Sequence, residues 1–198
     1  MITGIDKNTA LVLIDLQKGI AKGDTAHPVK EVLAKAAALL AGFRQAKLPV
    51  VIVNVNPVGA PWTKTRVESS SVPKNPVAQT VAKVVMPVIG FTDIVPEIQT
   101  QPDDIRITKK NWNAFYDTAL HQQLQERVIT QIVLGGISTS IGVEGTARAA
   151  SERGYNIAFA TDAMTDRIAA AHEHSIRHIF PRIGELGTVN DIIAKLPR

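Results

Sequence analysis

I-T-Q-I-V-L-G-G-I-S-T-S-I-G, residues 129–142, sets a short apolar run against a glycine pair and then a polar turn. An apolar run of this length, bounded by glycine, reads as a strand buried on both faces, as the strands of parallel sheets are. Residues 129–136 are therefore expected as a strand, with Gly135 and Gly136 leading into a helix at about 141–154, closed by Gly154 at a C-terminal cap position. Four further segments share the strand pattern: A-L-V-L-I-D-L-Q at 10–17, P-V-V-I-V-N-V-N at 49–56, D-I-R-I-T-K at 104–109 and Y-N-I-A-F-A-T-D at 155–162. Between them the apolar period changes. Val32, Leu33, Ala36, Leu39, Leu40 and Phe43 recur at helical spacing between Pro28 and Lys47. Further helices are expected at 118–127 and 168–179, then a short strand near 184–189 and a terminal helical turn.

Strands alternating with helices predict an α/β fold, a three-layer α/β/α (Rossmann-like) sandwich around a central, mainly parallel sheet of about six strands. All 198 residues fit one domain of that kind. The stretch from Pro57 to about Pro102 is the least regular, with most of the prolines and the run E-S-S-S at 68–71, and a local helix is expected there at Val77–Val85.

Composition removes several classes of function. There is no cysteine, which excludes disulfides, thiolate zinc sites and a cysteine nucleophile. The net charge is +4, but the 22 basic residues are scattered and no run of them is interleaved with aromatics, so no nucleic-acid partner is expected. No segment is long and apolar enough to span a membrane, and residues 1–9 lack the apolar core of a secretory signal. A cytoplasmic protein acting on a small molecule, anionic ones included, is the resulting expectation.

Ligands of open parallel sheets sit beyond the carboxyl ends of the strands. Three features fall there: Asp15 after the first strand, Lys109 at the end of the third, and the G-G-I-S-T-S-I-G segment at 135–142 after the fourth. Taken singly, each has an ordinary explanation as a helix cap, a solvated lysine or a tight turn. Together they form a convergence of distant groups on one rim. Ser140 is read as a helix N-cap, because G-I-S-T-S does not form a nucleophile elbow. His174 and His178 share a helix face while His172 points elsewhere; without an H-E-x-x-H motif no metal site is assigned, and no cofactor is expected. Trp62, Trp112 and Phe115 are candidate pocket-wall aromatics, with ordinary core packing as the alternative.

In their order, L-I-D-L-Q, T-K-K-N-W-N-A-F-Y-D-T, V-L-G-G-I-S-T-S-I-G-V-E-G-T-A-R-A-A and G-Y-N-I-A-F-A-T-D-A resemble the isochorismatase-like hydrolases, a family that includes nicotinamidases, carbamoylsarcosine amidases and isochorismatases. The resemblance runs from about residue 8 to 190, and is greatest to a subgroup with G-I-S-T-x-I-G-V-E in this place. It implies that Asp15 is the acid/base carboxylate and Lys109 its lysine partner, and that Gly142 stands where the family carries its nucleophilic cysteine. It also implies a cis peptide at Ile137–Ser138 and substrate contacts from Gln17, Asn56, Trp112, Phe115, Ile137, Ser138 and Ile141, with Arg66 as a further carboxylate contact. A homo-oligomer, dimer or larger, is implied as well. Without the cysteine, thioester chemistry is replaced by the scheme of true isochorismatases, in which a carboxylic acid protonates an enol ether and water captures the cation. The tyrosine and histidine of their G-V-Y-A-H-I-G loop are absent here. The alternative is a relative that binds a metabolite without turning it over.

Overall fold

The computed structural model describes residues 1–56, 58 and 90–197. Six strands, β1 (Thr9–Ile14), β2 (Val50–Val55), β3 (Ile105–Lys109), β4 (Gln131–Ile137), β5 (Asn156–Thr165) and β6 (Glu185–Gly187), form one sheet in the order β3-β2-β1-β4-β5-β6. Every pairing between neighbours is parallel. The chain winds outward from β1 in one direction and then from β4 in the other. The strand order therefore reverses between β1 and β4, and a crevice opens there beyond their carboxyl ends.

Side-chain alternation explains why β1 is apolar throughout. Ala10, Val12 and Ile14 face one core layer; Leu11 and Leu13 face the other. The first layer is closed by α2 (Leu120–Gln125) and α3 (Glu144–Ser151), through Leu120, Leu124, Ala147 and Ala150. The second is closed by α1 (Val29–Gln45) and α5 (Val189–Ile193), through Leu33, Leu39, Phe43, Val189 and Ile192. The six residues that set the helical period of α1 are the six it buries. The edge strand β3 has only one covered face and alternates buried with exposed, which leaves Lys109 on the covered side.

Two expectations change. β5 runs three residues past the expected end at 162, because its register against β4 shifts between Leu134 and Gly136 and Thr165 comes to pair with Ile137. The two later helices are also less uniform than their periodicity suggested. A wide π-type turn, Thr139–Val143, precedes α3, and another, Ser175–Ile179, follows α4 (Ala169–His174). The helix expected at Val77–Val85, with Trp62 and Arg66, lies outside the described residues. Of the irregular stretch after β2, the last part returns to the sheet: Ile94 bridges Gln17, and Val95 and Ile98 are buried in the second core layer. No helix among the described residues is long and apolar enough to cross a membrane.

On β4, Gly136 has φ +132° and pairs with Ile14 of β1; a Cβ there would overlap the Ile14 carbonyl oxygen. Gly154 also has positive φ, +80°, but open space around it. Replacing Gly154 by alanine should cost about 1 kcal/mol, the strain of a left-handed residue alone. Gly136→Ala should cost about 3 kcal/mol or more, since β1 must also move. Urea midpoints of the two variants test this ranking, and equal losses would refute it.

Candidate active site

Asp15 is the first residue beyond β1 and has a left-handed φ of 53°, a conformation that aspartate tolerates better than most residues. Its N–H donates to the Val53 carbonyl and its own carbonyl accepts from Gln17 N–H, so the backbone that aims the carboxylate is tied on both sides. Lys109 ends β3, two strand spacings away and so on the order of 10 Å across the sheet. Its long stem crosses the end of β2, and the ammonium Nζ donates to Asp15 Oδ2 at 2.6 Å and to the Asn111 carbonyl at 3.2 Å. Asp15 is 4% exposed and Lys109 2%, a buried ion pair at the carboxyl end of the sheet.

Gly142 closes this pair from above. A Cβ built on it would stand 3.0 Å from Asp15 Oδ2 and 3.7 Å from Lys109 Nζ. Its carbonyl accepts from Thr146 Oγ1 at 2.7 Å, and that hydroxyl in turn accepts the Ala114 N–H at 3.0 Å. The turn after β4 is thereby joined to the segment that follows Lys109. Asp15, Lys109 and Gly142 meet, as their positions at the strand ends suggested, and the Ile137–Ser138 peptide beside them is cis.

The remaining carboxylate oxygen, Asp15 Oδ1, is buried and has no hydrogen-bond partner among the described residues. An ionised oxygen left in that state is costly, whereas a protonated one has a proton to give. Burial accordingly pushes the Asp15 carboxyl up from its ordinary 3.8 to about 6, against the opposing pull of the Lys109 charge and hydrogen bond. Desolvation wins over ion pairing here.

The other sequence-derived residues occupy varied places. Gln17 is fully buried, and its amide is spent on backbone: Nε2 donates to the Val55 and Phe91 carbonyls, and Oε1 accepts the Val55 N–H. It fastens the 90–94 segment to β2. Asn56 is half-buried and its N–H donates to the Lys109 carbonyl. Ile137 points into the core, so only its peptide is at the rim, next to half-buried Ser138. Ile141 and Trp112 are exposed. Phe115 belongs to the core, stacked on Tyr155 at 5.8 Å under the Arg153 guanidinium, as its core-packing alternative had it.

Ser140 is not an N-cap. The helical turn begins one residue earlier, so Ser140 lies within it, and both its N–H and its hydroxyl donate to Asp166 Oδ2 at 2.8 Å. Asp166, 2% exposed, was missed because the fifth strand was expected to stop at Asp162; the rule that singled out Asp15 applies to it once β5 is seen to end at Thr165. His172 was set aside with the other histidines of its helix, and its contact with this turn was not foreseen. It is buried, with Nδ1 2.9 Å from Thr139 Oγ1 and its ring edge-on to His27 at 4.6 Å, and burial, with the His27 charge beside it, lowers its pKa. His174 and His178 are exposed neighbours with ring centres 5.3 Å apart. No group of three His, Cys, Asp or Glu among the described residues is placed to share a metal ion.

A family model described as the isochorismatase domain matches residues 9–191 of the chain. The isochorismatase family protein YecD of Escherichia coli O157:H7 is 40% identical over 198 residues, 96% of this chain and 97% of that protein. The structure of an isochorismatase family protein from Burkholderia thailandensis superposes with a TM-score of 0.84 at 36% identity, covering 99% of both chains. Ureidoacrylate amidohydrolase RutB of Rhizobium rhizogenes is 33% identical over 105 residues, 51% of this chain and 42% of that protein.

The opposing effects on Asp15 make a testable pair. Since Lys109 lowers the carboxyl pKa, Lys109→Met should move its titration above 6, read from the Asp15 side-chain carboxyl carbon by NMR. A midpoint that stays put or falls would mean that Lys109 does not hold the charge of Asp15.

Proposed function

Because the chain belongs to the isochorismatase family, we propose that it is a hydrolase of a small metabolite that works by acid/base chemistry of Asp15 and Lys109, without a cysteine. The observation that carries this reading is the buried Asp15 carboxyl, with one oxygen on Lys109, the other unpartnered among the described residues, and a pKa raised to about 6. A general acid works best when its pKa lies near the working pH, and this one has been brought there by burial.

Gly142 supplies no nucleophile, and there is no cysteine elsewhere in the sequence. A thioester route is therefore closed to this chain, whereas proton transfer with direct attack of water needs no thiol. An enol ether suits that chemistry. Protonated Asp15 gives its proton from Oδ1 to the alkene carbon, and the C=C electron pair forms the new C–H bond. The resulting oxocarbenium ion is captured by water, whose proton returns to the Asp15 carboxylate. The hemiketal then breaks its C–O bond to release an alcohol and a carbonyl compound. Lys109 holds Oδ2 throughout, which leaves Oδ1 as the oxygen that transfers the proton, and its positive charge favours an anionic substrate in the crevice.

The test is a hydrolysis panel of small anionic enol ethers, including isochorismate, with nicotinamide and simple carbamoyl amides as thiol-dependent controls. Turnover of an enol ether is expected, with a loss of about 100-fold or more in Asp15→Asn. The acid form is the active one, so kcat/KM should fall as pH rises through about 6. Turnover of the amides alone, or silence of the folded protein on the whole panel, would overturn the reading in favour of a binding protein or a different reaction.

A further inference from the structure

The turn that carries Gly142 touches the Asp15–Lys109 pair but is held from elsewhere. Within it, the Ser138 carbonyl accepts the N–H groups of Ile141 and Val143, both at 3.2 Å. Outside it, besides the Thr146 hydroxyl on the Gly142 carbonyl, anchors come from the connection between β5 and α4. Asp166 Oδ2 takes the N–H and hydroxyl of Ser140, while Asp166 Oδ1 takes the Ile168 N–H at 3.2 Å, so the carboxylate spans two segments. His172, from α4 itself, meets the neighbouring Thr139 hydroxyl through Nδ1 at 2.9 Å. The Asp166 carbonyl also accepts from Ala26 N–H at 2.7 Å, which brings in the loop that precedes α1.

We propose that Asp166 is a positioning residue: by clamping Ser140 it holds the 139–143 turn down, and so keeps Gly142 packed on the Asp15–Lys109 pair and water out. The geometry is specific. Ser140 presents two donors to one oxygen of a buried carboxylate, and partial shielding from water strengthens such charge-assisted hydrogen bonds. Two residues further on, Gly142 lies so close that a single added carbon would be in contact with the Asp15 carboxylate. Release of the clamp lifts this cover, and solvent then reaches the group whose burial raises its pKa. Asp166 does not touch the pair itself, so it acts through the turn.

The proposal concerns the same centre as the acid/base reading above and rests on it for its meaning, but its test needs no substrate. If the hydrolysis panel is silent while the titration below behaves as expected, the chemistry fails and the clamp stands. The experiment follows the Asp15 carboxyl carbon by NMR across a pH series. In Asp166→Asn the midpoint should fall from about 6 towards the ordinary value near 3.8. Ser140→Ala removes one of the two donors and no charge, and should move it part of the way in the same direction. This variant separates the clamp from the mere loss of a nearby negative charge, and it stands in for Asp166→Asn if that protein fails to fold. Asp162→Asn is the structural control. Asp162 lies on β5, the strand that leads to Asp166, but accepts from Val189 N–H and pairs with Lys35, so its loss should leave the midpoint near 6. An unmoved midpoint in Ser140→Ala, or an equal fall in Asp162→Asn, would overturn the proposal.

Discussion

The carbonyl of Ile14 leaves no room for a side chain at residue 136, and the rest of the site is arranged around that close approach. β1 and β4 are the two strands at which the sheet reverses its order, so they must lie side by side with their chains leaving in opposite directions. Asp15 leaves β1 at that point and the turn bearing Gly142 leaves β4. Backbone packing between the two strands thus brings the carboxylate and the turn side by side.

The Asp15–Lys109 pair shows how little such an interaction tells about stability when taken alone. Removing two charges from water is expensive, and mutual attraction repays it only where the remaining lone pairs and protons are also satisfied. Lys109 has the Asn111 carbonyl as a second partner, but Asp15 Oδ1 has none among the described residues. The deficit appears as a raised carboxyl pKa. A pair built for stability would have filled that position; left as it is, the oxygen is free to exchange a proton.

Much of this was legible from residue types and spacing. The helical period between Pro28 and Lys47 identified every residue that α1 buries, because a helix packed on a sheet has a single face to bury and the 3.6-residue period marks it. The strand-end rule found Asp15 and Lys109, since a carboxylate or ammonium directly after a buried strand must emerge at the rim. It failed for Asp166 because the end of β5 is set by its pairing with β4, across a register shift that leaves no mark in the local pattern. Phe115 shows the opposite failure. An aromatic close in sequence to Lys109 can face the rim or the core, and the segment after β3 turns its ring onto Tyr155.

The sequence by itself determined the layers, the strand and helix order, and that Asp15 and Lys109 stand at the carboxyl ends of their strands, because those depend on local hydrophobic period and chain direction. It also determined that no thiol takes part, since composition is enough for that. Tertiary structure decided how those groups meet: Lys109 reaches across β2 to Asp15, Gly142 covers the two, and Asp166 holds the covering turn. It also decided the contest over the Asp15 proton. Burial and pairing pull its pKa in opposite directions, and their balance depends on how much water the folded chain excludes, a quantity that no run of residues carries.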